Sequence, residues 1–438
     1  VPESLDIQLA GTHVATLDLL APQSYELRYD SDWLVHNGAV PISLSLPLQP
    51  APIRGGTLTA FLDNLLPDNS DVRDRWALEA GLATPDPFHL LAAYGADTAG
   101  ALQFVVPGAH SSDPPNRRTI TDRDIGERIR AIRDDDTSWQ HPGTDTGYFS
   151  LGGAQGKFSL GRDDSGWYEP SSSEPTTHIF KPRVRRQSDG ELVEYIAMTA
   201  ARAAGLDTAI VSINEFDGER SLVVERFDRF RDSRGVLHRA HQEDLAQSLG
   251  RTRLQKYEER GGPGYREIIR LIDENAAPET RESSLLAFVR ALVFSWAVLN
   301  TDAHAKNYSV FLRPDGVELT PMYDISSLIP YVGRPDGSPR AMAEVFSSTR
   351  LSMRVAADYE AGLQSWFEWL AVAREAGVDR PSLTAWAGAV AENLPDLITA
   401  IAETLPAHLQ TGTVARLVER TPIRSRQLLS AIDHAGPH

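Results

Sequence analysis

The chain contains no cysteine, which excludes a disulfide framework, thiolate metal sites and a cysteine nucleophile. That absence suits a reducing compartment, and the expectation is a cytoplasmic protein. Long apolar runs are missing too. The best candidate, residues 285–299, falls short of the roughly 18 apolar residues that a membrane span needs and carries Arg290 inside it. The opening stretch VPESLDIQLAGTHVATLDLL has no basic leader region and alternates polar with apolar, so no secretory signal is expected. Positive charge is scarce: 43 Lys and Arg face 60 Asp and Glu, a net of −17. Such a balance opposes general nucleic-acid binding by the whole chain, although a basic partner can supply what it lacks. No internal repeat of solenoid or propeller period occurs.

What is present is an ordinary globular composition in a chain of 438 residues, long enough for two or three domains or one bilobed enzyme. Alternating segments at 5–9, 14–17, 25–29 and 42–46 predict short strands, and 57–66, 74–81 and 88–93 predict helices. A Pro- and Asp-rich linker with a short charged helix follows over 107–136. Strands resume at 157–160, 177–181, 209–214, 221–225 and 236–239, with Asp217-Gly218 marking a hairpin. Between them lies a predicted helix over 192–204, closed by Gly205. Helical periods dominate from about residue 241, with helices predicted over 285–299, 359–376, 382–394 and 396–405. In 285–299 the apolar positions fall on one face. A strand-rich first half and a helical second half suggest a two-lobed enzyme with a cleft.

Four stretches carry chemistry. The first, SLGGAQGK at 150–157, has glycines that let backbone N–H groups crowd against phosphate oxygens. It is not a Walker A loop, because the spacing is one residue short and Phe158 replaces the metal-binding Ser or Thr. Nor is it the kinase G-x-G-x-x-G, and alone it reads as a glycine turn between strands. The second is Lys181, directly after Ile179-Phe180. A lysine ending an apolar strand either reaches solvent or meets an anion, and Glu191 or Glu194 on the next helix is a candidate partner. The third, Val223-Val224-Glu225-Arg226-Phe227, is an apolar strand leaving into a charged turn, read either as an exposed turn or as a hinge whose backbone meets an adenine edge.

The fourth is Asn300-Thr301-Asp302-Ala303-His304-Ala305-Lys306-Asn307, followed by Asp324 in PMYDI. The plain reading is a helix end with solvated polar residues. Asp302 and His304 invite a metal reading, but no third ligand stands nearby. A serine hydrolase is not supported, because no G-x-S-x-G elbow occurs. An Asp, an Asn five positions on and a later Asp instead match the working parts of a protein-kinase catalytic loop. Glycine turn, strand lysine, helix glutamate, hinge-like strand, Asp-x-x-x-x-Asn and later Asp also follow one another in kinase order.

The chain resembles the HipA family of toxin serine/threonine kinases over essentially its whole length. The matching stretches are SLSLPL, FLDNLLPD, GALQF, SLGGAQGKF, FKP, LVVERFDR, HQEDLAQSLG, NTDAHAKNYS and PMYDISSL, all in family order. The resemblance implies an α+β, bilobed protein-kinase-like fold, with a small extra N-terminal subdomain over 1–110, a strand-rich kinase N-lobe over 111–240 and an all-helical C-lobe over 241–438. It places an ATP loop on Gly152, Gly153, Ala154, Gln155, Gly156 and Lys157, an autophosphorylated serine at Ser150, and the ATP-binding lysine at Lys181. The adenine-contacting hinge falls on Glu225, Arg226 and Phe227. The proton-accepting aspartate is Asp302, with His304 and Lys306 on the nucleotide side and Asn307 and Asp324 on Mg²⁺.

The resemblance also implies a small helix-turn-helix antitoxin, HipB, as partner, with operator DNA contacted mainly through it. Protein substrates of the family include aminoacyl-tRNA synthetases, whose phosphorylation halts translation and favours persistence. A basic DNA-contacting loop is not carried over, because the region around Asp379-Arg380-Pro381 is not notably basic. The expected reaction is transfer of the ATP γ-phosphoryl group to a protein Ser or Thr. The competing readings are a small-molecule or lipid kinase and a catalytically idle corepressor.

Overall fold

The computed structural model describes residues 3–108, 117–139, 151–171, 174–184, 188–333 and 338–434. It divides into two compact units, and the chain enters each of them three times. The first comprises Val1–Arg186, Ser212–Gln255 and Ser309–Pro314; the second comprises Gln187–Val211, Lys256–Tyr308 and Asp315–His438.

The first unit holds two larger antiparallel sheets, of five and six strands. In one, the strands Ser4–Leu9, Thr12–Ala21 and Ser24–Tyr29 form a meander, with Leu102–Val105 added beside Ser4–Leu9. Alternation sends Leu5, Ile7, Leu17 and Leu27 inward. The helices Gly56–Asn64, Ser70–Glu79 and Pro87–Tyr94 complete this core with Phe61, Trp76 and Phe88. In the other sheet His178–Pro182 lies between Glu219–Glu225 and Phe158–Asp163. The expected Asp217-Gly218 turn is there, with both residues at positive φ (50° and 76°), as a two-residue hairpin of matching twist requires. Phe158 and Phe180 stack at 4.7 Å in the core of this sheet.

Residues 42–46 do not form the expected strand. Side chains take the place of a ladder: Ile42 N–H donates to the Tyr29 hydroxyl (2.8 Å), which itself donates to the Leu46 carbonyl (2.6 Å). Leu44 N–H donates to the buried Glu243 carboxylate (2.9 Å). The alternation in SLSLPL therefore reports a segment clamped by polar side chains, with Ile42 and Leu46 buried beneath.

The second unit is built around the helix Arg281–Ala297. Its apolar residues were expected on one face, yet Leu285, Ala291, Val293, Phe294 and Trp296 are all buried, so it is covered nearly all round. Helices Tyr265–Asn275, Trp366–Glu375, Arg380–Thr404 and Gly412–Asp433 pack against it, which explains why one face is not enough. Helix Gly190–Ala203 packs on Arg380–Thr404, where Trp386 Nε1 donates to the Ala204 carbonyl (2.8 Å).

Two helix boundaries differ from expectation. Residues 359–376 begin as the strand Asp358–Glu360 and turn helical only at Trp366, after a Ser365/Glu368 capping box. Residues 382–394 and 396–405 form one helix, Arg380–Thr404, that runs through Pro395. An interior proline costs about 3 kcal/mol. Leu394, Ile398 and Ile401 are buried on its two sides, and each contributes about 1.5–3 kcal/mol by leaving water. Burial outweighs the break. Short strands Gly316–Leu319 and Arg350–Val355 add to the helices of this unit.

Candidate active site

The stretch that carries Asp302 starts where the central helix ends. Asn300 N–H reaches back to the Ser295 carbonyl (2.8 Å) and Leu299 N–H to that of Trp296 (3.4 Å). This is a Schellman closure, which places Leu299 in the left-handed region (φ 53°) that glycine normally fills. A leucine there costs roughly 1–2 kcal/mol of backbone strain, and its side chain is fully buried. The turn throws the chain abruptly out of the helix into Asn300, Thr301 and Asp302.

From there the stretch is stitched to itself. The Asp302 carbonyl accepts from both His304 N–H (2.8 Å) and Asn307 Nδ2 (2.6 Å). Asn307 sits in the short 3₁₀ turn Ala305–Asn307. Because its NH₂ group is held by Asp302, its Oδ1 is the end a cation would take. The Asp302 carboxylate projects, with its side chain 58% exposed. It accepts a short hydrogen bond from the Tyr257 hydroxyl and lies 3.7 Å from His304 Nε2. His304 is buried edge-on against the Tyr257 ring at 4.8 Å. Burial pushes its pKa down to about 4, so the ring is neutral near pH 7. Its Nδ1 is buried with no hydrogen-bond partner.

Asp324 is tied to the same stretch from both sides. Ahead of it, Met322 pairs with Asp207 and Ala209 through backbone bonds of 2.8 Å, and the Tyr323 hydroxyl donates to the Lys306 carbonyl (2.8 Å). Behind it, Ser327 Oγ donates to the Val298 carbonyl (2.7 Å) and Leu328 N–H to that of Leu299 (3.1 Å). Asp324 itself has φ 55°, a region that aspartate enters more readily than most residues. A carboxylate and an amide oxygen are hard donors of the kind Mg²⁺ prefers. No group of three or more His, Cys, Asp or Glu able to hold a metal occurs among the described residues.

The other predicted residues lie in the first unit. Lys181 is buried on the strand His178–Pro182, in register with Leu222, while Phe180 faces the core. The glycine turn is pinned by a bridge between Gly153 and Pro67, and Asp68 N–H donates to the Gly153 carbonyl (2.8 Å). Gly153 has φ 105°, and a Cβ there would meet Lys157 Nζ at 2.7 Å. Lys157 is turned inward: its ammonium donates to the Gly152 carbonyl (2.6 Å) and lies 5.6 Å from the Trp139 ring. Ala154, Gln155 and Gly156 complete the turn. A Cβ on Gly156 would collide with Ile132 at 2.6 Å. Ser150 lies outside the described residues. Glu225 ends the strand Glu219–Glu225 and is exposed, and Phe227 packs edge-on against Phe311 at 5.9 Å. Glu191 and Glu194 lie on a helix of the second unit, whereas Lys181 belongs to the first.

The Arg226 guanidinium is engaged within the protein. It is buried between Asp97 (3.2 Å) and Asp228 (2.9 Å), and also donates to Thr176 and the Thr98 carbonyl. Its backbone is engaged too: N–H on the Thr177 carbonyl (2.9 Å), carbonyl receiving Arg229 N–H (3.3 Å). Arg229 and Arg239 add to the same cluster on Asp97, whose carboxyl their charges hold well below the usual range. A charge pattern read as a solvated turn is a closed ion network, and Asp97, far away in sequence, is the member that periodicity gave no reason to pick. Tyr257 was equally unmarked, since nothing local ties a tyrosine to an aspartate 45 residues later.

Comparison with known proteins fits this arrangement. Residues 5–105 match the HipA N-terminal domain and residues 149–398 the HipA-like C-terminal domain. The chain is 33% identical over 356 residues to a protein of Sinorhizobium fredii named putative kinase Y4mE, covering 81% of each. It is 29% identical over 343 residues to the serine/threonine-protein kinase toxin HipA of Shewanella oneidensis, covering 75% of this chain and 76% of that one. The solved complex of HipA, HipB and operator DNA from Shewanella oneidensis superimposes with a TM-score of 0.80 at 25% identity, covering 98% of both chains. The α+β architecture with a helical C-terminal region is thus the HipA fold. This chain belongs to the HipA family.

Proposed function

We propose that the protein is an ATP- and Mg²⁺-dependent serine/threonine-protein kinase that acts as a growth-inhibiting toxin. The observation that carries the reading is the stitched stretch from Asn300 to Asn307. It presents one projecting carboxylate, Asp302, and is bonded on both sides of Asp324 to the segment that supplies a second. Asp302 accepts the proton of a protein Ser or Thr hydroxyl. A weak base suffices, since the proton leaves late in a loose phosphoryl-transfer transition state. Asn307 and Asp324 hold Mg²⁺, which when bound neutralises charge on the β- and γ-phosphates.

Lys181 is assigned to the phosphates as a point charge. The Gly152–Gly156 turn is assigned to them through its backbone N–H groups. Lys157 is assigned to holding that turn closed. Glu225 and Phe227 flank the base, while His304, neutral and with Nδ1 unsatisfied, lines the nucleotide side with Lys306. Autophosphorylation at Ser150 would place close to two negative charges beside the phosphate-binding turn and oppose nucleotide binding.

By analogy with the complex from Shewanella oneidensis, the partner is a HipB-like helix-turn-helix antitoxin, with operator DNA reached mainly through it. A net charge of −17 supports that division of labour. The protein substrate is assigned to the aminoacyl-tRNA synthetases. No helix among the described residues is long and apolar enough to cross a membrane, and a cytoplasmic site of action is proposed.

The test is incorporation of labelled phosphate from ATP with Mg²⁺, into the protein itself and into a cell lysate, compared with Asp302→Gln. Label in protein that disappears with Asp302→Gln supports the kinase. Label in lipid or small molecules alone supports the rival kinase class. No incorporation, with operator binding retained beside an antitoxin, supports an idle corepressor.

A further inference from the structure

Within the second unit, away from the catalytic stretch, a cavity of about 690 Å³ opens beside the helix Gly412–Asp433. That volume suits a small organic ligand. In a chain with 60 acidic residues, none of the described residues that line it is acidic, whereas Arg424, Arg426 and His434 all do. Apolar surface comes from Ile423 and from Phe367, a ring left 54% exposed.

Arg424 is the unusual member. Its side chain is among the largest that are fully buried, yet no carboxylate pairs with it among the described residues. Its guanidinium donates to the Trp296 carbonyl (2.7 Å) and the Ala297 carbonyl (3.3 Å), lies 5.1 Å from the Trp296 ring, and approaches Gln427 Oε1 at 3.5 Å. The plain account is a cap on the last carbonyls of the central helix, whose end carries about half a negative charge. Half a charge leaves the rest unanswered. Burial without a counter-charge pushes the group down to about 9, still protonated near pH 7. A buried unpaired cation is among the costlier features a fold can keep, and here it borders open space from which acidic side chains are absent.

We propose that this cavity binds a small molecule with a flat aromatic body and one anionic head group, a carboxylate or a phosphate. The head meets Arg424, with Arg426 and His434 adding positive potential, and the body covers Phe367 and Ile423. A guanidinium can take such a head through two parallel N–H donors. The site is independent of the kinase assignment, because it uses none of the residues given to ATP, Mg²⁺ or the acceptor hydroxyl.

Calorimetric titration of the full chain tests it, with indole-3-acetate, benzoate and phenyl phosphate as probes, and with indole-3-acetamide and inorganic phosphate as controls. At least one aromatic anion is expected to saturate with a Kd of about 1 mM or tighter. The neutral amide and the bare phosphate should bind at least tenfold more weakly. Ala343→Phe, which fills the cavity without removing a polar group, should weaken the anion tenfold or more while leaving the thermal midpoint in place. Arg424→Gln should lower affinity for the acid to that for the amide, and if it does not fold, Ala343→Phe and Arg426→Gln carry the comparison. Absence of saturation by all three anions at about 10 mM, equal binding of acid and amide, or undiminished binding by Ala343→Phe would each overturn the proposal.

Discussion

The Tyr257 hydroxyl donates to Oδ1 of the Asp302 carboxylate. Tyr257 also stands edge-on to His304, so it is held in place and not merely passing. In the kinase reading it competes with the substrate. Tyr257→Phe keeps the ring and removes the donor. The expected outcome is a two- to tenfold lower KM for the protein acceptor with ATP KM unchanged, consistent with about 1 kcal/mol for one hydrogen bond. Steady-state kinetics check this, and a tenfold drop in kcat would instead make Tyr257 a positioning group for Asp302.

Asp302→Asn should lower phosphoryl transfer by roughly 10²–10⁴, the usual contribution of a general base. With the Asp302 side chain more than half exposed, the thermal midpoint should move by no more than a few degrees. Initial rates with labelled ATP and a melting curve on the same preparation separate chemistry from folding.

Arg226→Met should act on stability first. Removing it takes the nearest guanidinium from buried Asp228 and one of three from buried Asp97, a loss of up to about 3–5 kcal/mol for a broken buried pair. Urea denaturation reads this directly. A variant of unchanged stability but weakened ATP binding would return Arg226 to the nucleotide.

Acid stability follows from buried titratable groups. Burial lowers His178, His241 and His304 to about 4 from 6.5. Below about pH 6.5 the unfolded chain takes up protons that these rings refuse when folded, so stability falls as the pH drops toward 4. Glu243 runs the other way. Burial raises it to about 7 from 4.5, so its contribution is complete below about 4.5 and is lost as the pH rises through 7. Three groups against one predict a net loss of stability between pH 7 and 5. Glu243→Gln should be stabilising relative to wild type at pH 8, by on the order of 1–3 kcal/mol, with the gain shrinking at pH 5. Denaturation midpoints at the two pH values decide it.

Much of this was legible in residue order. Strands with period two and a hairpin at Asp217-Gly218 need only local information, and the Asp302, Asn307 and Asp324 spacing belongs to one short region. What was hidden depends on partners remote in sequence. The SLSLPL alternation reads as a strand until Glu243 and Tyr29 appear beside it. Pro395 splits in the sequence pattern a helix that buried side chains nonetheless hold continuous. Arg226 looks like an exposed turn residue because Asp97 is 129 positions away.

The three visits the chain makes to each unit bear on its synthesis. Among the described residues the strand Gln242–Asp244 pairs with Ser309–Arg313, and helix Gly190–Ala203 waits for Trp386 and the helix that carries it. A nascent or truncated polypeptide that already includes Asp302 therefore still lacks the packing that finishes its unit. Any activity is expected only once synthesis has passed Trp386 and the helix Arg380–Thr404, and fragments that stop before it are expected to be inert.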